Sequence, residues 1–287
     1  MSIISGNIVT RDKIAAEYPP NSLERKIAEK LASSKDVYRY DSLNQLNFAV
    51  KLRANIVGAA RELDGNDMSF TTFRKSKCNT DYWRRTDEGG FLLKEYIKPS
   101  DAIKDIFINS SEYGTECATA IVIIYYEALV NLLPEELFNE MFPRIYLLDW
   151  QYISRNLYIE QYGNVTEFFP GDCQYFKSPD VNPATPEWQG ENVINLGNGT
   201  YFGHGIGIKS ANGIIKALNE NRKRGATESA FLTDSATRLN SKQIFDKYYS
   251  FISTMKIKRC REIHRSYRNI YYRHQPFKRV ETPLFAR

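Results

Sequence analysis

Histidine and cysteine are scarce in this chain, three of the first and four of the second among 287 residues. The cysteines, Cys78, Cys117, Cys173 and Cys260, are widely scattered. They form no CxxC or Cys/His spacing, which excludes a zinc site built on those patterns. The amino terminus, MSIISGNIVTRDK, has no cationic stretch followed by an apolar one and does not read as a secretory signal. The longest apolar run, Ala118–Tyr126 interrupted only by Thr119, falls far short of the roughly 20 residues that span a bilayer. Repeats and low-complexity segments are also missing. These absences lead us to expect a soluble protein made inside the cell, with four reduced thiols and no membrane partner.

What the chain does have is material for a core, with 42% hydrophobic and 13% aromatic residues, and a length that suits one large domain or two. Its charge is uneven. Residues 246–287 carry 11 Lys and Arg against 3 Asp and Glu, net +8, whereas the other 245 residues carry 28 against 31, net −3. The near-neutral body and the basic tail are therefore separate questions of function.

Ser42 with Gln45 has the form of a capping box, and Leu43, Leu46, Val50 and Val57 follow at helical spacing, which predicts a helix over 42–62. Residues 67–97 alternate turn signals with short aromatic runs. PSDAIKDIFIN predicts a helix capped by Ser100, and further helices are expected from Glu116 to about Asn131 and over Pro134–Phe142. From Arg144 the period becomes extended. RIYLLDW, NLYIEQY, CQYFK, ENVINLG and YFGHGIGI are β-rich runs between Gly, Pro and Asn signals, with LGNGTY as a hairpin. Ser210 then caps a helix that Gly225 is expected to stop. Helices followed by consecutive strands predict an α+β fold with an antiparallel sheet.

The run GTECATAIVIIYY places Cys117 at the mouth of the apolar segment, directly after Glu116. With Thr115 as N-cap, the thiol falls in the first helical turn. There, free backbone N–H groups and the helix dipole lower a thiol's pKa and offer donors to an oxyanion. A nucleophilic thiol needs a base. His264 and His274 lie in the basic tail, which leaves His204, between Gly203 and Gly205, and the carboxylates Glu116 and Glu191. On reference values, moving the proton to a free imidazole costs about 2.7 kcal/mol, against about 5.7 kcal/mol to a free carboxylate. A carboxylate in an apolar pocket rises in pKa and closes that gap, and aromatic residues are at hand, Trp150 after YLLD and Trp188 three residues before Glu191. The residues alone leave the choice open.

Four runs in order, ECATAIVIIYY, GDCQYFK, WQGENVI and YFGHGIGI, together resemble the spore-coat transglutaminases of endospore-forming bacteria. KLRANIV and NTDYWR extend the likeness, which covers about residues 1 to 239. The resemblance implies a papain-like α+β core, with a central antiparallel sheet packed against helices. It also implies a calcium-independent protein-glutamine γ-glutamyltransferase without cofactor or metal. In that pattern Cys117 is the nucleophile, Glu191 its favoured partner, Glu116 a partial substitute and His204 a histidine near the site. Cys117 would attack a protein-bound glutamine carboxamide, ammonia would leave, and a lysine amine would collect the acyl group from the thioester. Phe70, Trp150 and Trp188 would shield that thioester from water. The expected partners are Gln- and Lys-bearing proteins of the spore coat rather than nucleic acid, with the enzyme in the mother-cell cytoplasm and at the coat surface.

The expected division is a catalytic domain over 1–240 and a basic, aromatic-rich extension over 241–287, past the end of the resemblance. Phe245, Tyr249, Ile252, Ile263, Tyr267 and Ile270 near helical spacing predict one or two amphipathic helices there. Interleaved Arg, Lys and Tyr suit an acidic partner, and an apolar stripe packed on the core is the competing reading. Two other functions fit the residues: a papain-like cysteine amide hydrolase using the same thiol, and a nucleic-acid-binding or coat-scaffold protein driven by the basic tail. Cys173, inside a predicted strand, is expected to pack rather than react.

Overall fold

The computed structural model describes residues 2–4 and 6–273, without the side chains of 2, 7–9 and 260–273. The elements run β1 (Ser2–Ile4), β2 (Asn7–Val9), α1 (Arg11–Ala15), α2 (Leu23–Ser33), β3 (Tyr38–Tyr40) and α3 (Leu43–Asp64). Next come β4 (Ser69–Phe70), β5 (Trp83–Arg85), β6 (Phe91–Leu93), α4 (Pro99–Ile108), β7 (Gly114–Thr115) and α5 (Cys117–Val130). After α6 (Glu135–Met141) follow β8 (Tyr146–Leu147), β9 (Ile159–Tyr162), β10 (Cys173–Lys177), β11 (Gly190–Gly197) and β12 (Thr200–Gly203). The order closes with β13 (Gly207–Ser210), α7 (Ala211–Asn219), β14 (Phe231–Leu239) and α8 (Ser241–Arg273).

The sequence of α5 dictates its position. A helix apolar on every side is stable only where every side is covered, and α5 is buried continuously from Ala118 to Leu129. It packs against α3, α4 and β11. β11 belongs to a six-stranded antiparallel sheet with strand order β13-β12-β11-β10-β14-β9. Ile214 and Leu218 of α7 pack with Phe176 and Val193 from the sheet. This is the α+β arrangement expected, with antiparallel strands after a mainly helical first half. The sheet carrying Glu191 is thus held directly against the helix that starts at Cys117.

One buried ionic group ties the layers together. Asp172, fully buried in the GDC run, accepts from Arg53 of α3 at 2.7 Å and from Arg238 of β14 at 2.7 Å. Burial alone would raise its carboxyl, but the two guanidinium groups outweigh burial and hold it below its usual range.

Several local expectations are corrected by the geometry. Ser42 does cap α3, but Gln45 reaches back to the N–H of Asp41 at 2.8 Å rather than to that of Ser42. α4 begins at Pro99 with Lys98 in the cap position, so Ser100 is inside the helix and is not its cap. Proline suits a first helical position because its missing N–H would be unpaired there anyway. α7 ends at Asn219, well before Gly225. YFGHGIGI is two strands with His204 in the turn between them, not one strand. The LGNGTY hairpin forms, with Gly197, Asn198 and Gly199 all at positive φ. Elements β1, β2, α1, α2, β3 and β14 have no counterpart among the sequence expectations.

The chain divides into a compact unit ending at Phe245 and a second unit from Asp246. The first unit therefore takes in the opening turn of α8, whose Ile244 and Phe245 are buried. α8 is a single helix through Arg273. His274 and Gln275 lie outside the described residues, and the side chains of Cys260, Ile263, His264, Tyr267 and Ile270 are likewise not described. Among the described residues, no helix is long and apolar enough to cross a membrane.

Candidate active site

Cys117 is the first residue of α5. Its N-cap is Glu116, not Thr115, which instead pairs with Phe70 in the short parallel β4–β7 ladder. The Glu116 carboxylate accepts from the N–H groups of Ala118 at 2.5 Å and Thr119 at 2.7 Å. Those donors, expected to serve an oxyanion, are already occupied. Glu116 therefore fixes the helix start and takes up its positive end.

The expectation of an acidic thiol is also overturned. Burial pushes the Cys117 thiol well up, and the nearby Glu191 and Glu116 carboxylates push it further. The hydrogen bonds from Asn192 oppose this but do not prevail. The Asn192 side-chain Nδ2 lies 3.6 Å from Sγ. A thiol raised in this way has to lose its proton as it attacks, so the nucleophile is generated by proton transfer.

Glu191, on β11, is 1% exposed. Among the described residues its Oε1 has no hydrogen-bond partner, and the backbone N–H of His204 donates to the carboxylate. Burial first, and then the charge of Glu116, raise this carboxyl well above its usual range. The raised carboxyl is a stronger base than a free one, which narrows the proton-transfer gap that first favoured histidine. Room for the side chain comes from Gly203 on the neighbouring strand, where a Cβ would lie 2.9 Å from the Glu191 Cγ.

His204 is buried and has other partners. Its ring meets the backbone carbonyls of Ser69, at 3.3 Å, and Thr115. Burial pushes it down to about 4, so it is a neutral imidazole at neutral pH. It joins the two strands that carry Phe70 and lead into Cys117.

Cys117 opens into a cavity of about 370 Å³, lined among others by Phe70, Glu116, Asp149, Tyr175, Glu187 and Asn192. Of the three aromatic residues named from the sequence, Phe70 lines this cavity. Trp188 backs Phe70, with ring centroids 5.4 Å apart. Trp150 is half-buried and is not among the lining residues. Gly205 lets Phe70 in, since a Cβ there would stand 2.5 Å from its ring. Cys173 is buried in β10 with its thiol raised by burial and then by Asp172, the setting of an inert packing cysteine.

Asn192, Tyr175 and Asp149 are site residues that the sequence reading does not name. Asn192 and Tyr175 sit inside the WQGENVI and CQYFK runs, so adjacency to a flagged residue was the available signal. Asp149 had none, because what singles it out is the packing of its loop on α5. Among the described residues no three His, Cys, Asp or Glu are arranged to hold a metal ion.

The family model of protein-glutamine gamma-glutamyltransferase matches residues 1–248. A Bacillus cereus protein-glutamine gamma-glutamyltransferase is 46% identical over 241 residues, 84% of this chain and 87% of its own length. A Bacillus anthracis one is 45% identical over 241 residues, with the same two shares, 84% and 87%. Among solved structures, a transglutaminase from Geobacillus stearothermophilus lacking its C-terminal extension is similar, at TM-score 0.69 and 46% identity. That match covers 72% of this chain and 98% of that one. A transferase whose protein substrates bear glutamine and lysine is what this kinship implies, and the chain belongs to the protein-glutamine gamma-glutamyltransferase family.

Proposed function

We propose that the chain joins protein glutamine and lysine side chains through a thioester on Cys117, with Glu191 as the proton carrier. One observation carries this reading. A nucleophile at a helix start opens into a cavity, and beside it on the packed sheet is a buried carboxyl with a free oxygen.

In the first half-reaction the thiol proton passes to Glu191 as sulfur attacks the glutamine carboxamide carbon. Asn192 is the donor placed to meet the oxyanion that forms. Collapse breaks the C–N bond, and the Glu191 proton leaves with ammonia. A neutral lysine amine then attacks the thioester, its proton passes to Glu191, and that proton returns to sulfur as the C–S bond breaks. The thiol is restored and an isopeptide remains. Hydrogen bonds of this kind tighten as substrate fills the cavity, so carboxyl and sulfur need not touch beforehand. Phe70, backed by Trp188, limits the access of water, the competing acceptor. Glu116 and His204 act here by holding α5 and the β4–β7 pair in place.

We infer a papain-like core from the nucleophile helix packed on an antiparallel sheet that bears its partner. The basic region over 241–287 is read as an extension offering charge to an acidic coat protein. The spore coat and the mother-cell cytoplasm are the inferred setting, on the resemblance of the sequence runs alone. Fractionation of sporulating cells tests this.

The decisive assay gives the protein a glutamine-bearing substrate and a fluorescent primary amine. Incorporation that disappears in Cys117→Ala supports the reading. Peptide cleavage without incorporation favours the hydrolase instead.

A further inference from the structure

The catalytic cavity is charged on one side only. Glu116, Asp149 and Glu187 line it, and among the described residues no lysine or arginine does. Glu116 is committed to the helix cap. Asp149 and Glu187 are each half-buried, and among the described residues neither is in an ion pair. Two carboxylates partly withdrawn from water without a counter-ion favour a cation arriving from outside.

Asp149 is also held in place. Its backbone is at φ 50°, in the left-handed region. Its N–H donates at 2.8 Å to Oγ1 of Thr119, a buried residue of α5 two positions after Cys117. The nucleophile helix therefore sets where Asp149 stands relative to the sulfur. Its charge also contributes to raising Glu116, which places the two carboxylates near each other. The buried Glu191 carboxyl, whose Oε1 has no hydrogen-bond partner among the described residues, stands close enough to Cys117 to raise its thiol.

We propose that Asp149, with Glu187 as a second charge, forms the subsite that receives the acceptor lysine as an ammonium ion. Asp149 is a binding and specificity residue that draws the charged head group to the cavity. The amine gives up its proton to water before attack and enters the transfer step neutral, as above. This deepens the proposed function and rests on the reading that Cys117 carries the acyl group.

The test compares two acceptors on the full chain with one glutamine donor. One is a fluorescent alkyl diamine, cationic at neutral pH, and the other is hydroxylamine, which is uncharged there. Asp149→Asn removes the charge and keeps a residue at home in left-handed backbone. The expected result is about a tenfold rise in KM for the diamine, with a much smaller change for hydroxylamine, so the preference between acceptors falls. Glu187→Gln should shift it in the same direction by less. In the unsubstituted protein, added salt should depress the diamine reaction more than the hydroxylamine reaction, which keeps the idea testable should Asp149→Asn fail to fold. Equal losses with both acceptors, or none with either, overturn the subsite and leave the transferase reading standing. Transfer to neither acceptor by the unsubstituted protein overturns the transferase reading and this one with it.

Discussion

Gly203 and Glu191 occupy space that only a glycine can share. A methyl group on Gly203 would lie 2.9 Å from Cγ and 3.0 Å from Oε1 of Glu191. The glycine is not at positive φ, so close approach, not backbone conformation, requires it. Gly203→Ala has to displace the carboxyl that the proposed mechanism uses. We expect amine incorporation to fall by about 10- to 100-fold, with a folded protein by circular dichroism. Activity within twofold of the parent would show that the placement of Glu191 is not critical.

Asn192 is expected to act on both the resting thiol and the transition state. Its Nδ2 is 3.6 Å from Sγ, and its hydrogen bonds lower the thiol's pKa. Asn192→Ala should slow ammonia release by about a hundredfold, the cost of one lost oxyanion donor. It should also slow alkylation of Cys117 at fixed pH, because the thiol then ionises later. Unchanged ammonia release with slower alkylation would confine Asn192 to the ground state.

How much was legible beforehand depended on the range of the interactions. The apolar run after Cys117 marked α5, because continuous burial leaves its mark in consecutive residues. Antiparallel strands between Gly and Asn turns were legible for the same local reason. The thiol's ionisation was not. A helix start argues for a low pKa, and the burial of the thiol together with the Glu191 carboxylate, remote in sequence, reverses it. The base was undecidable from residue types, because the environment that favours Glu191 comes from Gly203, His204 and the sheet register. GDCQYFK marked a structural centre, the Asp172 ion group, whose partners Arg53 and Arg238 are remote in sequence.

That ion group supports a prediction on stability. Asp172→Asn leaves two largely buried guanidinium groups without their shared counter-charge. Removing one partner of a buried pair costs about 3–5 kcal/mol, so the denaturant midpoint should fall clearly. A midpoint unchanged within error would mean that water compensates the arginines.

His204 should give folding a pH dependence of definite sign. Its folded pKa is pushed down to about 4 by burial, against about 6.5 in an unfolded chain. Between those values the unfolded chain binds the extra proton, so stability is present above the unfolded value and lost as pH falls toward the folded one. The slope is at most about 1.4 kcal/mol per pH unit. Glu116 and Glu191, raised by burial, act in the opposite sense, losing their contribution as pH rises. The difference between the parent and His204→Asn isolates the imidazole, and denaturant titrations from pH 7 to pH 4 should show a flatter profile in the variant. Parallel profiles would place a charged histidine in the folded protein.

The choice between Glu191 and His204 as proton carrier can be made by separating ionisation of the thiol from transfer. After burial, Glu191 is the largest influence raising the Cys117 thiol, so Glu191→Gln should move the pH profile of alkylation to lower pH. The same substitution removes the proton carrier and should cut amine incorporation by about 10²- to 10⁴-fold. A more readily ionised thiol in a less active enzyme is the signature of a general base, because a merely structural residue would not move the two readouts apart. His204→Asn should leave the alkylation profile close to the parent's, since the neutral ring is engaged with backbone carbonyls. The reverse pattern, a profile fixed in Glu191→Gln and shifted in His204→Asn, would return the role to the imidazole.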